Sequence, residues 1–202
     1  MKISKKLSNV LLFFVIFGLF GACSRTEAEN KNSRDSEMAK SNTKKILVAY
    51  FSATGTTKEI ATYIAQDLKA DIFEIVPEVP YTSNDLNYGN DNSRTSKEMN
   101  DNSARPAIKN SVQNFEQYDV IFLGYPIWWG NAPKIMSTFV ESYDFKGKTV
   151  IPFVTSGSSG IGSSAKTLEA LTKGATWEAG QRFGSGTSKN VVADWVNTLD
   201  VK

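Results

Sequence analysis

Apolar positions along this chain fall into two regimes. Near the start they form one unbroken run, Val10-Leu11-Leu12-Phe13-Phe14-Val15-Ile16-Phe17, extending to Phe20. From Ile46 onward, short apolar runs alternate with segments in which apolar residues recur at helical spacing. The first run, Ile46 to Phe51, leads through Ser52-Ala53-Thr54-Gly55-Thr56-Thr57 into Ile60, Ala61, Ile64, Ala65 and Leu68, a helix ending near Lys69. Further strands are expected at Asp71–Val76, Asp119–Gly124 and Thr149–Thr155, with Ala175–Trp177 and Gln181–Phe183 as weaker candidates for a fifth. Helices are expected over residues 133–143, 163–172 and 189–199, and Trp195 reads as core packing on the last. Such alternation predicts an α/β fold of βαβ units around a parallel sheet. The run 119–124 is continuously apolar, as a central strand covered on both faces should be. Pro152 must either bend the fourth strand or place its missing N–H at a strand end.

Two regions fit neither period. Residues 78–110 are rich in Asn yet carry Tyr81, Leu86, Tyr88 and Met99, with one or two helical turns expected over 96–102. An excursion this long is either a functional lid or surface decoration. Residues 24–45 are Ser, Asn, Lys and Glu with almost no large apolar side chain, the composition of a tether that cannot order itself. Before them, Lys2, Lys5 and Lys6, the apolar run, and Gly21-Ala22 make residues 1–22 a signal peptide. Leu19-Phe20-Gly21-Ala22-Cys23 resembles a bacterial lipobox, with Phe20 a departure from the usual aliphatic residue. The expected organisation is therefore a signal peptide (1–22), a tether from a lipidated Cys23 (23–43) and one domain (44–202). This implies an extracytoplasmic, membrane-anchored bacterial lipoprotein. An ordinary signal peptide or an uncleaved anchor is the alternative.

Composition narrows the chemistry. The formal charge of +2 over 202 residues becomes −1 once the three leader lysines are removed. No basic stripe is visible, which argues against nucleic acid as a partner. The chain has no histidine, and Cys23 is its single cysteine. That excludes Ser-His and Cys-His catalytic pairs, imidazole metal sites, thiolate clusters and an intramolecular disulfide. Hydroxyls, carboxylates, backbone groups or a bound cofactor must carry any activity, and no metal site is expected.

In an open parallel sheet, ligands bind outside the carboxyl ends of the strands, so the loops after strands one, three and four should converge. The first is the turn bearing Ser52, Thr54, Gly55, Thr56 and Thr57, which aims hydroxyls and helix-terminal N–H groups at one point, as a phosphate requires. A polar turn with Thr54 or Thr56 as N-cap satisfies the same pattern. The second is Tyr125-Pro126-Ile127-Trp128-Trp129-Gly130-Asn131-Ala132-Pro133, whose adjacent indoles suit a flat aromatic ligand or packing against the insertion. Asn131 there is a candidate helix cap. The third, Ser156-Gly157-Ser158-Ser159-Gly160-Ile161-Gly162-Ser163-Ser164, is small and rich in backbone donors. A phosphate grip, an aromatic clamp and a backbone-donor loop together describe a site for a planar ring attached to a phosphate. Neither a Gly-x-Gly-x-x-Gly nor a P-loop motif is present, which leaves FMN as the best match.

These motifs carry a family resemblance. From about Lys44 to the C-terminus the chain resembles the flavodoxin family. Ser52 to Thr57 is similar to its phosphate turn, Tyr125 to Pro133 to the second loop of one branch, and Thr155-Ser156-Gly157 with Gly160-Ile161-Gly162 to that branch's third loop. Arg105-Pro106-Ala107-Ile108 and Trp177, Gly180 and Phe183 are also similar. The resemblance implies a three-layer, doubly wound, five-stranded parallel sheet of order 2-1-3-4-5 holding FMN non-covalently. It implies that Ser52, Thr54, Gly55, Thr56 and Thr57 hold the phosphate. Pro126, Ile127, Trp128, Trp129 and Gly130 would line the ring, and Ser156, Gly157, Gly160 and Gly162 would close its other edge. Lys58 is expected to be peripheral, and a ring without a nearby cation to have a low potential for its last reduction. The implied function is a redox protein passing electrons between partners, protein or small molecule, at a membrane surface. An NAD(P)H-dependent quinone or flavin reductase is the alternative, and a flavin-binding protein without turnover the third.

Overall fold

The computed structural model describes residues 44–201. The signal peptide, the tether and Cys23 lie outside the described residues. Five parallel strand positions form one sheet in the order β2-β1-β3-β4-β5, with β1 Ile46–Tyr50, β2 Asp71–Glu74, β3 Val120–Pro126, β4 Thr149–Thr155 and β5 Thr176–Trp177. A further piece, β6 Gln181–Phe183, pairs with the far end of β4.

Alternation along the central strands divides the core into two layers. Ile46, Val48, Tyr50, Val120 and Phe122 face α1 (Thr56–Leu68) and α5 (Lys189–Val196), where they meet Ile60, Ile64, Val192 and Val196. Leu47, Ala49, Ile121, Leu123 and Tyr125 face α3 (Lys134–Glu141) and α4 (Ser164–Glu169), meeting Ile135, Met136, Phe139 and Leu168. Helices therefore cover both faces, and β1 and β3 are buried throughout, apart from the part-exposed Pro126 at the end of β3. Trp195 packs edge-on against Phe122 and Phe183, at 5.9 and 5.4 Å between ring centres.

The fifth strand is split, and Pro152 supplies the reason. It sits in the middle of β4, not at its end. The carbonyl of Val150 accepts from Glu178 N–H on the edge side. Pro152, two residues on, presents its ring nitrogen to that same side, where a ladder donor is missing. Pairing stops there and resumes at β6. Gly180 passes over the gap so closely that a Cβ would lie 2.3 Å from the Pro152 carbonyl.

Residues 78–110 are neither a strand nor surface decoration. Their ends are zipped by an antiparallel bridge between Pro77 and Ile108, with Glu78 N–H donating to Ala107 O and Lys109 N–H to Val76 O, each at 2.8 Å. Within them a short helix, α2 (Arg94–Asn100), begins two residues earlier than its pattern predicts because Ser93 caps it by accepting from Ser96 N–H. Arg105 clasps Glu141 of α3 through two hydrogen bonds of 2.6 and 2.9 Å. The insertion is thus pinned at its base, at its helix and against α3. Among the described residues no helix is long and apolar enough to cross a membrane.

Candidate functional site

A cleft of about 280 Å³ opens at the carboxyl edge of the sheet, a volume close to the lower end for small-molecule sites. Its walls come from all three loops expected to converge there, joined by Leu86 and Tyr88 of the insertion and by Ser185 beyond β6. Thr54, Thr56, Thr57, Pro126, Ile127, Trp128, Ser156 and Gly157 line it, with Ala53 and Thr155. None of the described lining residues is Asp, Glu, Lys or Arg.

The phosphate-type end is built on a helix start that the protein leaves open. Gly55 precedes α1 with φ 95°, a left-handed conformation open to glycine, and no side chain caps the helix. Ser52 Oγ instead accepts from Gly55 N–H at 3.1 Å, tightening the turn without reaching the helix. The first-turn N–H groups stay available beside the hydroxyls of Thr54 and Thr56. Thr57 is buried, and its hydroxyl meets that of Thr155 at 2.7 Å, tying α1 to the end of β4. Lys58 turns aside to Glu74 at 2.8 Å, where Tyr50 also donates at 3.0 Å. Burial and that carboxylate raise the Tyr50 phenol well above its ordinary range, so it stays a donor.

The aromatic end separates the two tryptophans. Trp128 is buried and stands edge-on to Phe51 and Tyr81, with ring centres 5.6 and 5.3 Å away. Trp129 is 40% exposed and does not line the cleft; it lies tilted on Tyr88 at 4.5 Å. Trp128 and Asn131 exchange two backbone hydrogen bonds of 2.9 Å around a two-residue turn in which Trp129 has φ 46° and Gly130 φ 75°. That is the primed hairpin geometry, which favours Asn-Gly; holding an indole in it costs on the order of 1–3 kcal/mol. Asn131 is consequently a turn residue, not the cap of α3, a position that falls to Pro133. Tyr81 donates to Glu98 at 2.7 Å while Arg94 lies 4.0 Å over its ring and pairs with Glu98. Burial first, then that carboxylate, lifts the Tyr81 phenol far above its usual range.

The third loop is held from behind. Arg182 of β6 donates through Nη2 to the carbonyl oxygens of Ser156 and Gly157, and through Nε to Ser156 Oγ at 3.2 Å. Ser164 is buried and bonds Ile161 O and the Tyr125 hydroxyl. Burial raises the Tyr125 phenol to about 12, against an ordinary value near 10.

Six of the expected contact residues therefore do not line the cleft. Ser52 and Gly55 shape the first turn, Trp129 and Gly130 form the strained hairpin, and Gly160 and Gly162 lie in the third loop outside the cavity wall. Gly162 approaches Gly130 from across the crevice, its would-be Cβ 3.9 Å from the Gly130 carbonyl. Sequence reasoning did not single out Ala53, Leu86, Tyr88, Thr155 and Ser185 as contacts, nor Arg182 as the residue behind the third loop. The Tyr and Leu interrupting a polar insertion were the signal for Tyr88 and Leu86; Ser185 had none. Arg182 also removes the premise of a site without a cation at its edge. Among the described residues no cluster of His, Cys, Asp or Glu could hold a metal ion.

An open sheet of order 2-1-3-4-5 with a neutral, donor-lined cleft at its carboxyl edge defines a flavodoxin-like α/β protein. The match extends to sequence. The chain belongs to the flavodoxin family, whose model it matches over residues 45–199. A “putative flavoprotein” of Bacteroides eggerthii is similar at 47% identity, covering 79% of this chain and 99% of that one, with a TM-score of 0.73. Another from Bacteroides uniformis is 45% identical over 76% of this chain and 98% of its own, also at 0.73. A Lactobacillus acidophilus flavoprotein, solved in complex with FMN, shares the fold at 22% identity and a TM-score of 0.57, covering 69% of this chain and 93% of that one. No curated protein matches the chain.

Proposed function

We propose that this chain binds FMN non-covalently in the cleft and passes electrons between redox partners, acting as a carrier and not as an NAD(P)H-dependent reductase. The observation that carries this reading is the uncapped start of α1, facing a cavity whose other wall is aromatic. A phosphate dianion at the helix terminus would be met by first-turn N–H groups and by the hydroxyls of Thr54, Thr56 and Thr57. Trp128, Tyr88, Leu86, Pro126 and Ile127 would supply the apolar walls for a flat ring, and Ser156 and Gly157, which also line the cleft, would offer it backbone groups. The FMN complex of the Lactobacillus relative supports the choice of cofactor.

When bound, FMN supplies one- and two-electron transfer. The protein's own residues position it and exclude water. Thr57 and Thr155 fix the phosphate end to the sheet, the Tyr81–Glu98–Arg94 cluster packs the insertion against Trp128, and Arg182 fixes the third loop. No lining residue among those described is a carboxylic acid or an ammonium group placed to hand protons to a quinone being reduced in the cleft, which favours electron passage over quinone reduction. Mixing the FMN-loaded protein anaerobically with NADH or NADPH tests this. The flavin absorbance should persist, and rapid bleaching would replace the carrier with a reductase.

The proposal extends to location. A lipid on Cys23 and the polar stretch after it would hold the domain at an extracytoplasmic membrane surface and restrict its partners to those within reach. Cys23→Ser should move the protein from the membrane fraction to the soluble one. Retention in the membrane would contradict the anchor.

A further inference from the structure

The third loop has its carbonyls turned outward by one side chain. Arg182 takes the carbonyl oxygens of both Ser156 and Gly157 on Nη2, and its Nε holds Ser156 Oγ, which in turn donates to the Ser159 carbonyl. In a trans peptide the C=O and the following N–H point in opposite directions. Three carbonyls gathered on the Arg182 side therefore direct the N–H groups of Gly157, Ser158 and Gly160 the other way. None of these three finds an acceptor among the described residues. Ser156 N–H, by contrast, is used in pairing to Phe183 O at 3.1 Å, which locks the loop's base to β6. Successive free N–H groups of this kind form a concavity for an anion or a carbonyl oxygen.

Arg182 is also electrically unbalanced. It forms no ion pair with a carboxylate among the described residues, and it is only partly exposed. Its charge lies directly behind two peptide groups at the wall of a cleft that holds no acid among its lining residues. A guanidinium suits this role because its rigid fork can engage several acceptors at once, which an ammonium on a flexible stem does not reproduce.

We propose that Arg182 is a positioning residue that presents the Gly157 and Ser158 N–H groups to the acceptor-rich edge of the bound ring. Its charge, lying behind those two peptide groups, favours the reduced, more electron-rich form. The proposal rests on the FMN reading above. Removing the cation lowers the midpoint potential, because the reduced form loses more stabilisation than the oxidised form.

The test uses Arg182→Gln and Arg182→Lys in the full-length protein. Two quantities are read: the midpoint potential of the FMN-loaded protein, and backbone NMR order parameters at residues 157–160 without FMN. In R182Q, reduced FMN should lose about tenfold more affinity than oxidised FMN, a fall of about 30 mV for a two-electron couple. Order parameters in the loop should drop from the rigid range near ~0.85 toward ~0.6. R182K should recover most of the potential without recovering the order. An R182Q protein with unchanged potential, or R182K no better than R182Q, overturns the electrostatic role. Unchanged loop order in R182Q overturns the positioning role. Failure of the unaltered protein to bind FMN would instead overturn the functional reading beneath the proposal and its potential-setting half together, leaving the loop measurement to decide the rest.

Discussion

The first helix and the helix of the insertion begin in opposite ways. At α2 the serine hydroxyl of Ser93 accepts from Ser96 N–H, closing the helix onto itself. At α1, four residues with hydroxyls stand around the start, yet none caps it; Ser52 serves the turn and Thr57 serves Thr155. Capping side chains contribute on the order of 1 kcal/mol, so a chain that has the residues and does not use them has left stability aside at that position. The difference separates a helix closed by its own side chain from one whose first-turn N–H groups stay free at the cleft, as the proposed phosphate grip requires. The two tryptophans also differ: Trp128 is buried and lines the cleft, while its neighbour is held exposed, off the cleft, in a backbone conformation that disfavours it.

Breaking the open terminus should produce the largest effect. Thr54→Val with Thr56→Val removes two hydroxyls that a dianion would use. Hydrogen bonds to charged groups contribute about 1.5–3 kcal/mol each. FMN affinity should fall by roughly a hundredfold or more, and riboflavin affinity by far less, measured by quenching of flavin fluorescence. Equal losses for both ligands would erase the distinction between the two helix starts.

A change at the exposed tryptophan should be next in size and opposite in sign for stability. Trp129→Asn creates the Asn-Gly pair that the primed turn prefers, so relief of strain should raise stability by about 1 kcal/mol in chemical denaturation. It also removes the partner of Tyr88, and ring binding should weaken. A loss of stability would mean that the Tyr88 contact outweighs the strain. The smallest effect is expected at the closed helix. Ser93→Ala should cost about 1 kcal/mol or less and leave the ratio of FMN to riboflavin affinity where it was.

Much of this architecture was legible in the chain. Continuous apolar runs and period-3.6 patterns place β1, α1, β3 and the faces of α1 and α5, because burial on both sides of a parallel sheet leaves a strong signal. The three loops that converge on the cleft were readable because their compositions are unusual for turns. What was not legible depends on contacts between distant residues. The split of the fifth strand comes from Pro152 acting across the ladder on residues 178–180. The different fates of Trp128 and Trp129 come from a hairpin that Asn131 closes, a residue equally suited to capping a helix. Arg182 reads as an ordinary edge-strand cation until the carbonyls of Ser156 and Gly157 are found on it.

The central claim is that the open start of α1 exists to hold one phosphate. Parallel titration of the unloaded protein with FMN and with riboflavin, which share the ring and differ in that phosphate, tests it most directly. FMN should bind at least about a hundredfold more tightly, as two charge-assisted hydrogen bonds and a helix terminus would provide. Equal affinities would contradict the account.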